Sequence, residues 1–180
     1  IHIKMKKYIL LLSIITILFS CGNEVQMEVG ETPKNIIGYE VSDAGEKISL
    51  YSGDMSTVEV WENYLTAHNA ADLDAIKLLN AEDIKVWAPK GEYINGSDAH
   101  IEFLTTWFIN NTPKWKTKYM IANEVTKGDV LEQWVTSGHD LTLNVDGDVI
   151  NVFQVHDALI VDGKVQKFYV NERVVLDSKE

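Results

Sequence analysis

The chain has 180 residues, and 46% of them are hydrophobic, which is enough to bury a core within one domain. It carries 16 basic and 27 acidic residues, a formal net charge of −11 at pH 7. This negative charge argues against a nucleic-acid partner, because phosphate binding needs clustered lysine and arginine. A single cysteine excludes an intrachain disulfide, so packing must stabilise the fold.

The first twenty residues, 1–20, are typical of a signal peptide. Met5 is the expected start, and residues 8–19 are apolar but too few to span a bilayer. The tetrapeptide that ends in Cys21, LFSC, resembles the lipobox of bacterial lipoproteins, which predicts acylation of Cys21 and attachment to a membrane. Gly22 favours the outer membrane, facing the periplasm or the cell surface. The alternative is an ordinary secretory signal.

Residues 21–54 are predicted to form a polar linker after the acylated cysteine, and residues 55–180 the folded domain. Within the linker, Ile36–Leu50 alternates weakly between apolar and polar residues, which favours a small hairpin. A capping box at Ser56-Thr57-Val58-Glu59 predicts the start of the first helix. One face of that helix carries four residues at helical spacing: Trp61, Tyr64, Leu65 and His68.

Two more helices are predicted, one capped by Asp72 and the other by Ser97. A strand at Ile84–Trp87 and an extended piece at Glu92–Ile94 lie between them. From Trp115 onward the hydrophobic period changes to two, and three turn dipeptides (Lys-Gly, Asp-Gly, Asp-Gly) divide the chain into a four-stranded antiparallel meander. Its strands are predicted at residues 115–126, 129–145, 148–161 and 164–174.

Counting outward from the turns gives the register of the four strands. One row across the sheet is predicted to contain Tyr119, Thr136, Asp157 and Phe168. The same face carries Trp115, Ile121 and Trp134, and because it is the more apolar face we expect it to pack under the helices. The opposite face, with His139 and His156, is expected to be exposed.

The dipeptide His156-Asp157 is not expected to be a catalytic dyad, because consecutive strand residues point to opposite faces. Asp157 is predicted to point inward, where burial raises the pKa of a carboxyl unless donors compensate. Two interpretations stay open for it. It is either a functional group or a structural carboxylate that is hydrogen-bonded to a hydroxyl such as that of Thr136 or Tyr119.

The order of these elements and two phrases resemble the nuclear transport factor 2-like (NTF2-like) superfamily: YLTAHNAADLDAIKLLNAEDIKVWAPKGEYING and HDALIVDGKV. The resemblance covers residues 57–175 and includes SnoaL-like polyketide cyclases and ketosteroid isomerases. It implies a cone-shaped α+β fold, with three N-terminal helices packed on a long, curved, four-stranded antiparallel meander. It also implies a homodimer formed through the outer face of the sheet.

Comparison with the ketosteroid isomerases implies part of a catalytic site. Those enzymes place an oxyanion-hole tyrosine eight residues before the aspartate that opens the second helix, and Tyr64 and Asp72 keep this spacing. Their second donor, a protonated aspartic acid, corresponds to Asp157. Their general base precedes Pro-x-Gly, where this chain has Ala88. The acid/base aspartate of the cyclases corresponds to Val170 or the residue after it, again without a carboxylate.

An oxyanion hole without a base binds an oxygen atom but moves no proton, so the first hypothesis is a non-catalytic domain that binds a small apolar ligand. Two alternatives stay open: a scaffold domain that dimerises through its sheet, and an isomerase, cyclase or lyase in which His68 replaces the base. No metal site or cofactor is expected. The predicted pocket consists of Trp61, Tyr64, His68, Trp107, Trp115, Tyr119, Trp134, Thr136, Asp157 and Phe168.

Overall fold

A computed structural model describes residues 34–175, so the predicted signal peptide and the acylation site at Cys21 lie outside the described residues. Within residues 34–175, no helix is both long and apolar enough to cross a membrane. The same range forms three helices and eight strands. In chain order they are β1 Ile36–Val41, β2 Lys47–Ser52, α1 Met55–Ala70, α2 Leu73–Leu79, β3 Asn80–Trp87, β4 Tyr93–Asn95, α3 Ser97–Asn111, β5 Lys114–Lys127, β6 Val130–Val145, β7 Asp148–Val161 and β8 Lys164–Val174.

All three predicted helices are present, but two of their caps differ from the prediction. The N-cap of α1 is Asp54, whose carboxylate accepts a hydrogen bond from the backbone N–H of Ser56 at 2.8 Å. Asp72 caps α2 as predicted. The N-cap of α3 is Gly96, with a φ of 97°, and Ser97 is the first helical residue. Each helix therefore begins within two residues of its predicted start.

The strands form one eight-stranded sheet in the order β1-β2-β5-β6-β7-β8-β3-β4. The predicted four-stranded meander is its centre, β5 to β8, so the predicted strand count was wrong. At one edge β3 pairs in parallel with β8, and β4 pairs with β3. At the other edge the β1–β2 hairpin, which falls within the predicted linker, pairs with β5 through Tyr51 and Ser52. Both additions cover strand edges that the meander alone leaves unpaired.

Tight turns set the register of the meander. Asp146-Gly147 and Asp162-Gly163 have positive φ at both residues, as type I′ hairpin turns require. Thr136 accordingly pairs with Asp157 across β6 and β7, which confirms the predicted register of these strands. The first turn lies one residue later than predicted, at Gly128-Asp129.

The prediction of which face is buried is wrong for β6 and β7. The helices cover the face that contains four polar residues, each at most 4% exposed: Ser137, His139, Gln154 and His156. The face that was predicted to lie inside is the outer one, where Tyr119 is 41% and Ile121 50% exposed. The inner polar groups hydrogen-bond to one another and to α1, which removes most of the cost of burying them.

Two β-bulges explain why Trp115 and Phe168 point inward even though Asp157 does not. One bulge precedes Tyr119 in the pairing of β5 with β6, and the other adjoins Ile160 in the pairing of β7 with β8. A shift of one residue turns the side chains beyond it to the opposite face. Trp115 and Phe168 therefore join the core, while Asp157 and Tyr119 stay outside.

Gly53 lies between β2 and α1, against the backbone of β5. A Cβ at this position would lie 2.7 Å from the Asn123 nitrogen and 2.9 Å from the Ala122 carbonyl carbon, and backbone atoms cannot rotate away. We expect Gly53→Ala to lower the free energy of unfolding by about 1–3 kcal/mol, as overpacking does. Urea unfolding followed by circular dichroism measures the change. Gly38→Ala is the matched control, since the nearest atom is Leu50 Cδ1 at 3.9 Å; equal losses in the two variants would contradict the prediction.

Candidate functional site

A cavity of about 280 Å³ lies between helices α1 and α3 and the inner face of the sheet. Its volume is close to the lower end of the range for small-molecule sites, about 300–1,000 Å³. The wall is mainly apolar and aromatic, with imidazole rings as its inner polar groups. The wall includes Trp61, Tyr64, Leu65, His68, Val86, Ile94, His100, Phe103, Leu104, Trp107, Trp115, His156, Phe168 and Val170.

The structure brings six of the ten predicted pocket residues together on the cavity wall: Trp61, Tyr64, His68, Trp107, Trp115 and Phe168. The other four lie on the outer face of the sheet, so their predicted placement is wrong: Tyr119, Trp134, Thr136 and Asp157. Their strands turn the alternate side chains to the cavity side, because successive strand residues point to opposite faces.

The sheet separates Asp157, the predicted second oxyanion donor, from Tyr64. The Asp157 carboxylate accepts a hydrogen bond from Thr136 Oγ1 at 2.6 Å on the outer face. Tyr64 is packed against the inner face and is 1% exposed. The two side chains therefore cannot hold one ligand oxygen. Of the two interpretations of Asp157, the structure therefore agrees with the structural one, a carboxylate that is hydrogen-bonded to Thr136.

The Tyr64 hydroxyl already has partners within the protein. It donates to Asn80 Oδ1 at 2.7 Å and lies 3.3 Å from His100 Nδ1. Burial raises the pKa of Tyr64 well above its usual value, so the hydroxyl remains protonated. A hydroxyl has one proton to donate, and here it is directed to Asn80. Tyr64 thus forms part of the cavity wall, but its hydroxyl has no proton left to donate to a ligand.

Four histidines lie in this inner layer, and burial keeps them uncharged at neutral pH. Desolvation lowers the pKa of His68 to about 4, that of His100 to about 3 and that of His139 to about 4. It lowers the pKa of His156 well below the usual range, and repulsion from His139 and His68 lowers it further. The cavity is therefore bordered by neutral imidazoles.

A buried hydrogen-bonded chain joins α1 to β6. Trp61 Nε1 donates to Ser137 Oγ at 2.8 Å, and the same hydroxyl lies 2.8 Å from His139 Nε2. The other ring nitrogen of His139 is 3.3 Å from Thr117 Oγ1. Each hydrogen bond contributes about 1 kcal/mol net, whereas an unpaired buried partner costs about 1–3 kcal/mol. This chain therefore fixes the helix on the sheet at a defined position.

A second polar chain borders the cavity. Gln154 Oε1 accepts hydrogen bonds from Trp115 Nε1 and His156 Nε2, each at 2.9 Å, and Gln154 Nε2 donates to Glu172 at 2.8 Å. Since an amide oxygen only accepts, the proton of His156 lies on Nε2. Its Nδ1 is then an acceptor, and it is enclosed without a partner among the described residues.

Four inner residues were not predicted to face the helices, because polar side chains at alternate strand positions usually mark a solvated face: Ser137, His139, Gln154 and His156. His100, which the sequence places on the flank of the third helix, was not predicted as a pocket residue, yet it is 2% exposed and lines the cavity. A signal for the correct face was present. The residues that share it are strongly apolar, namely Val135, Leu141, Val152, Ala158 and Ile160, each at most 5% exposed.

The segment after β3 forms one side of the cavity mouth. Ala88 and Pro89 line the wall, so the position at which the resemblance places a general base carries a methyl group. Among the described lining residues, the carboxylates belong to Glu92 and Glu172, and both residues are exposed. The inner wall therefore presents aromatic and imidazole groups, while the charged groups stay at the mouth.

Comparisons with known proteins support the fold alone. No protein-family model and no curated protein matches the chain. A candidate ketosteroid isomerase from Kribbella flavida is 17% identical, with a TM-score of 0.56 over 72% of this chain and 86% of that one. An LEH-like epoxide hydrolase from M. tuberculosis is 13% identical, with a TM-score of 0.54 over 66% and 84%. An NTF2-like protein of unknown function from Burkholderia pseudomallei is 14% identical, with a TM-score of 0.53 over 67% and 91%. The chain thus has the α+β fold of NTF2-like proteins, as predicted apart from the number of strands.

The buried histidines predict that mild acid unfolds the domain. Their ordinary pKa is 6.5; in the folded chain it is about 4 for His68 and His139 and about 3 for His100, and burial also lowers that of His156 well below its ordinary value. Between these values the unfolded state binds more protons, so stability is complete above about pH 6.5 and is lost as the pH falls towards about 4. Each histidine contributes a slope of about 1.4 kcal/mol per pH unit.

We therefore expect the urea midpoint, followed by circular dichroism, to fall steeply across this pH window. Proton uptake on unfolding should approach one proton for each of the four buried histidines. The variant His139→Gln removes one of these protons and should make the pH dependence less steep. A midpoint that is unchanged between about pH 7 and about pH 4.5 would show that these imidazoles are not buried in the neutral form.

Proposed function

We propose that this protein is a non-catalytic domain that binds a small apolar ligand in its aromatic cavity and is anchored to a bacterial envelope membrane through Cys21. The observation that carries the proposal is the cavity of about 280 Å³, bordered by Trp107, Trp115 and Phe168. Empty space of this size is unusual in a packed interior, and aromatic walls with few polar groups are typical of small-molecule sites.

The arrangement of the rings favours a flat ligand. Trp107 and Trp115 lie with ring centroids 5.7 Å apart and planes tilted by 34°, and form one wall. Phe168 lies on another, with its ring centroid 5.5 Å from that of Trp61. Planar rings bind well between such walls because both faces of the ligand lose contact with water. The volume suits a small ring compound rather than a lipid chain.

Binding is preferred over catalysis because the groups that proton transfer needs are missing or engaged. The general-base position is Ala88, Asp157 lies on the outer face, and the Tyr64 hydroxyl donates to Asn80. His68 remains as the alternative base, but a pKa of about 4 makes it a weak proton acceptor near pH 7. An isomerase, cyclase or lyase that uses His68 is therefore the less favoured function.

The membrane anchor rests on the sequence. Cys21 follows an apolar segment in a lipobox-like tetrapeptide, and Gly22 does not carry the acidic side chain that favours retention in the inner membrane. We propose an outer-membrane lipoprotein that faces the periplasm or the cell surface. The segment between Cys21 and the first described residue, Lys34, then serves as a tether that holds the cavity near the membrane.

The outer face of the sheet favours a second function, homodimerisation. Trp87 and Tyr169 stack there with centroids 4.6 Å apart, and Ile121, on β5 of the same face, is 50% exposed. One polar pair on this face is already satisfied within the chain: Asp157 accepts from Thr136. A second copy can therefore cover the face without leaving these groups unpaired. This interface is compatible with a ligand in the cavity, which lies on the other side of the sheet.

Native mass spectrometry of the full chain, extracted from membranes in mild detergent, tests the binding function and the anchor together. We expect a covalent mass increase from acyl chains, which Cys21→Ala removes, and a non-covalently bound small molecule. The filling variant Ala88→Phe should lose the bound molecule, because the added ring occupies the cavity. Asp157→Asn, on the outer face, is the matched control and should keep it. An empty wild-type protein that binds none of a set of small ring compounds would contradict the binding function.

Light scattering coupled to size-exclusion chromatography tests the dimer. We expect the wild type to elute with twice the mass of one chain. Ile121→Asp, which places a charge on the outer face, should elute as a monomer. The control is Ile109→Asp on α3, since Ile109 is 76% exposed and lies away from the sheet; it should leave the dimer intact. A wild type that is monomeric at high concentration rejects this interface.

A further inference from the structure

Two imidazole rings, those of His68 and His100, line the cavity together. Their centroids are 6.0 Å apart, and both rings lie close to Tyr64. Each ring has one nitrogen bound to the protein and one nitrogen, Nε2, without a hydrogen bond to any described residue. The chemistry of the cavity therefore depends on which of the two Nε2 atoms carries a proton.

The hydrogen bond of His68 determines its tautomer. His68 Nδ1 lies 2.8 Å from the backbone carbonyl oxygen of Tyr64. A carbonyl oxygen only accepts, so the proton is on Nδ1. Burial lowers the pKa of His68 to about 4, so the ring is neutral near pH 7 and carries no second proton. His68 Nε2 is consequently a hydrogen-bond acceptor.

His100 has the opposite tautomer. The Tyr64 hydroxyl donates to Asn80 Oδ1, which turns the amide nitrogen of Asn80 towards Ser97 Oγ at 3.2 Å and His100 Nδ1 at 3.3 Å. An amide nitrogen only donates, so His100 Nδ1 accepts and the ring proton is on Nε2. His100 Nε2 is consequently a donor.

Both Nε2 atoms are accessible from the cavity. The enclosed unpaired polar atoms of the described residues are Glu124 Oε2 and His156 Nδ1, and neither His68 Nε2 nor His100 Nε2 is among them. Because they have no partner in the protein and belong to lining residues, they are open to the cavity space. A donor and an acceptor thus face the same cavity from adjacent rings.

We propose that the cavity selects a hydroxylated aromatic compound whose hydroxyl group donates to His68 Nε2 and accepts from His100 Nε2–H. This assignment rests on the proposed binding function and specifies its ligand class. The ring centroids are 6.0 Å apart, a separation at which one oxygen can contact an Nε2 atom of each ring, with hydrogen bonds of about 2.9 Å. An ether or a carbonyl oxygen only accepts, so it satisfies His100 and leaves His68 unpaired. The aromatic walls hold the ring of the same ligand.

Three matched probes test the assignment on the full chain near pH 7.5: 2-naphthol, 2-methoxynaphthalene and naphthalene. They share one ring system. The hydroxyl of 2-naphthol donates and accepts, the ether oxygen of 2-methoxynaphthalene only accepts, and naphthalene has no substituent. Quenching of tryptophan fluorescence reports binding, because Trp107 and Trp115 line the cavity. We expect 2-naphthol to bind about tenfold more tightly than 2-methoxynaphthalene, the factor that corresponds to one buried hydrogen bond, and naphthalene, which makes neither hydrogen bond, to bind more weakly still.

Two variants identify the group that recognises the hydroxyl. His68→Phe keeps an aromatic ring but removes the acceptor, and it should reduce the affinity for 2-naphthol to that for the methyl ether. Asp157→Asn, on the outer face, should leave all three affinities unchanged. The affinities of the wild type for the three probes test the ligand class by themselves. This test therefore holds even if His68→Phe does not fold.

The outcomes separate this assignment from the binding function on which it rests. Equal binding of the three probes by the wild type would overturn the hydroxyl assignment and leave the binding function standing. A tenfold preference that survives in a folded His68→Phe variant would overturn the role of His68. Binding of none of the three, together with an empty cavity in native mass spectrometry, would overturn both the assignment and the binding function.

Discussion

The hydrogen bond from Trp61 Nε1 to Ser137 Oγ joins the first helix to the centre of the sheet, and the rest of the inner layer is arranged around it. Ser137 in turn contacts His139, and the His139 ring lies 4.8 Å from that of His156. These rings are buried only because they are neutral. Charging any of them would place an unpaired cation in an apolar interior, so the fold and the protonation state of its histidines are coupled.

The same constraint determines what the cavity can do. Its inner wall contains aromatic rings and neutral imidazoles, and the carboxylates among its described lining residues, Glu92 and Glu172, lie at the exposed mouth. A catalytic site for proton transfer needs a base whose pKa is near the working pH, and burial makes His68 a weak proton acceptor near pH 7, which favours the proposed binding function over the catalytic alternative. A binding site needs only shape and a few fixed polar atoms, which this wall supplies.

The sequence was sufficient for features that depend on neighbouring residues. The apolar face of α1 and the two Asp-Gly turns are local patterns, and the turns specify the pairing of Thr136 with Asp157. The apolar residues of β6 and β7 indicated the buried face, but the polar residues between them masked it, because their burial depends on hydrogen bonds between distant residues such as Trp61 and Ser137. The bulges that turn Trp115 and Phe168 inward also leave no clear mark in a hydrophobicity pattern. Six pocket residues were thus found, and four were assigned to the wrong side of the sheet.

The fold and the cavity both depend on inner histidines that are neutral, each with a fixed tautomer. A long-range ¹⁵N–¹H correlation spectrum of the histidine rings near pH 7 measures this directly, because a protonated and an unprotonated ring nitrogen have widely separated shifts. We predict Nδ1–H for His68 and Nε2–H for His100 and His156, with no charged ring among them. Shifts typical of an imidazolium, or rapid exchange between tautomers at His68 and His100, would show that these rings are not held neutral in fixed tautomers.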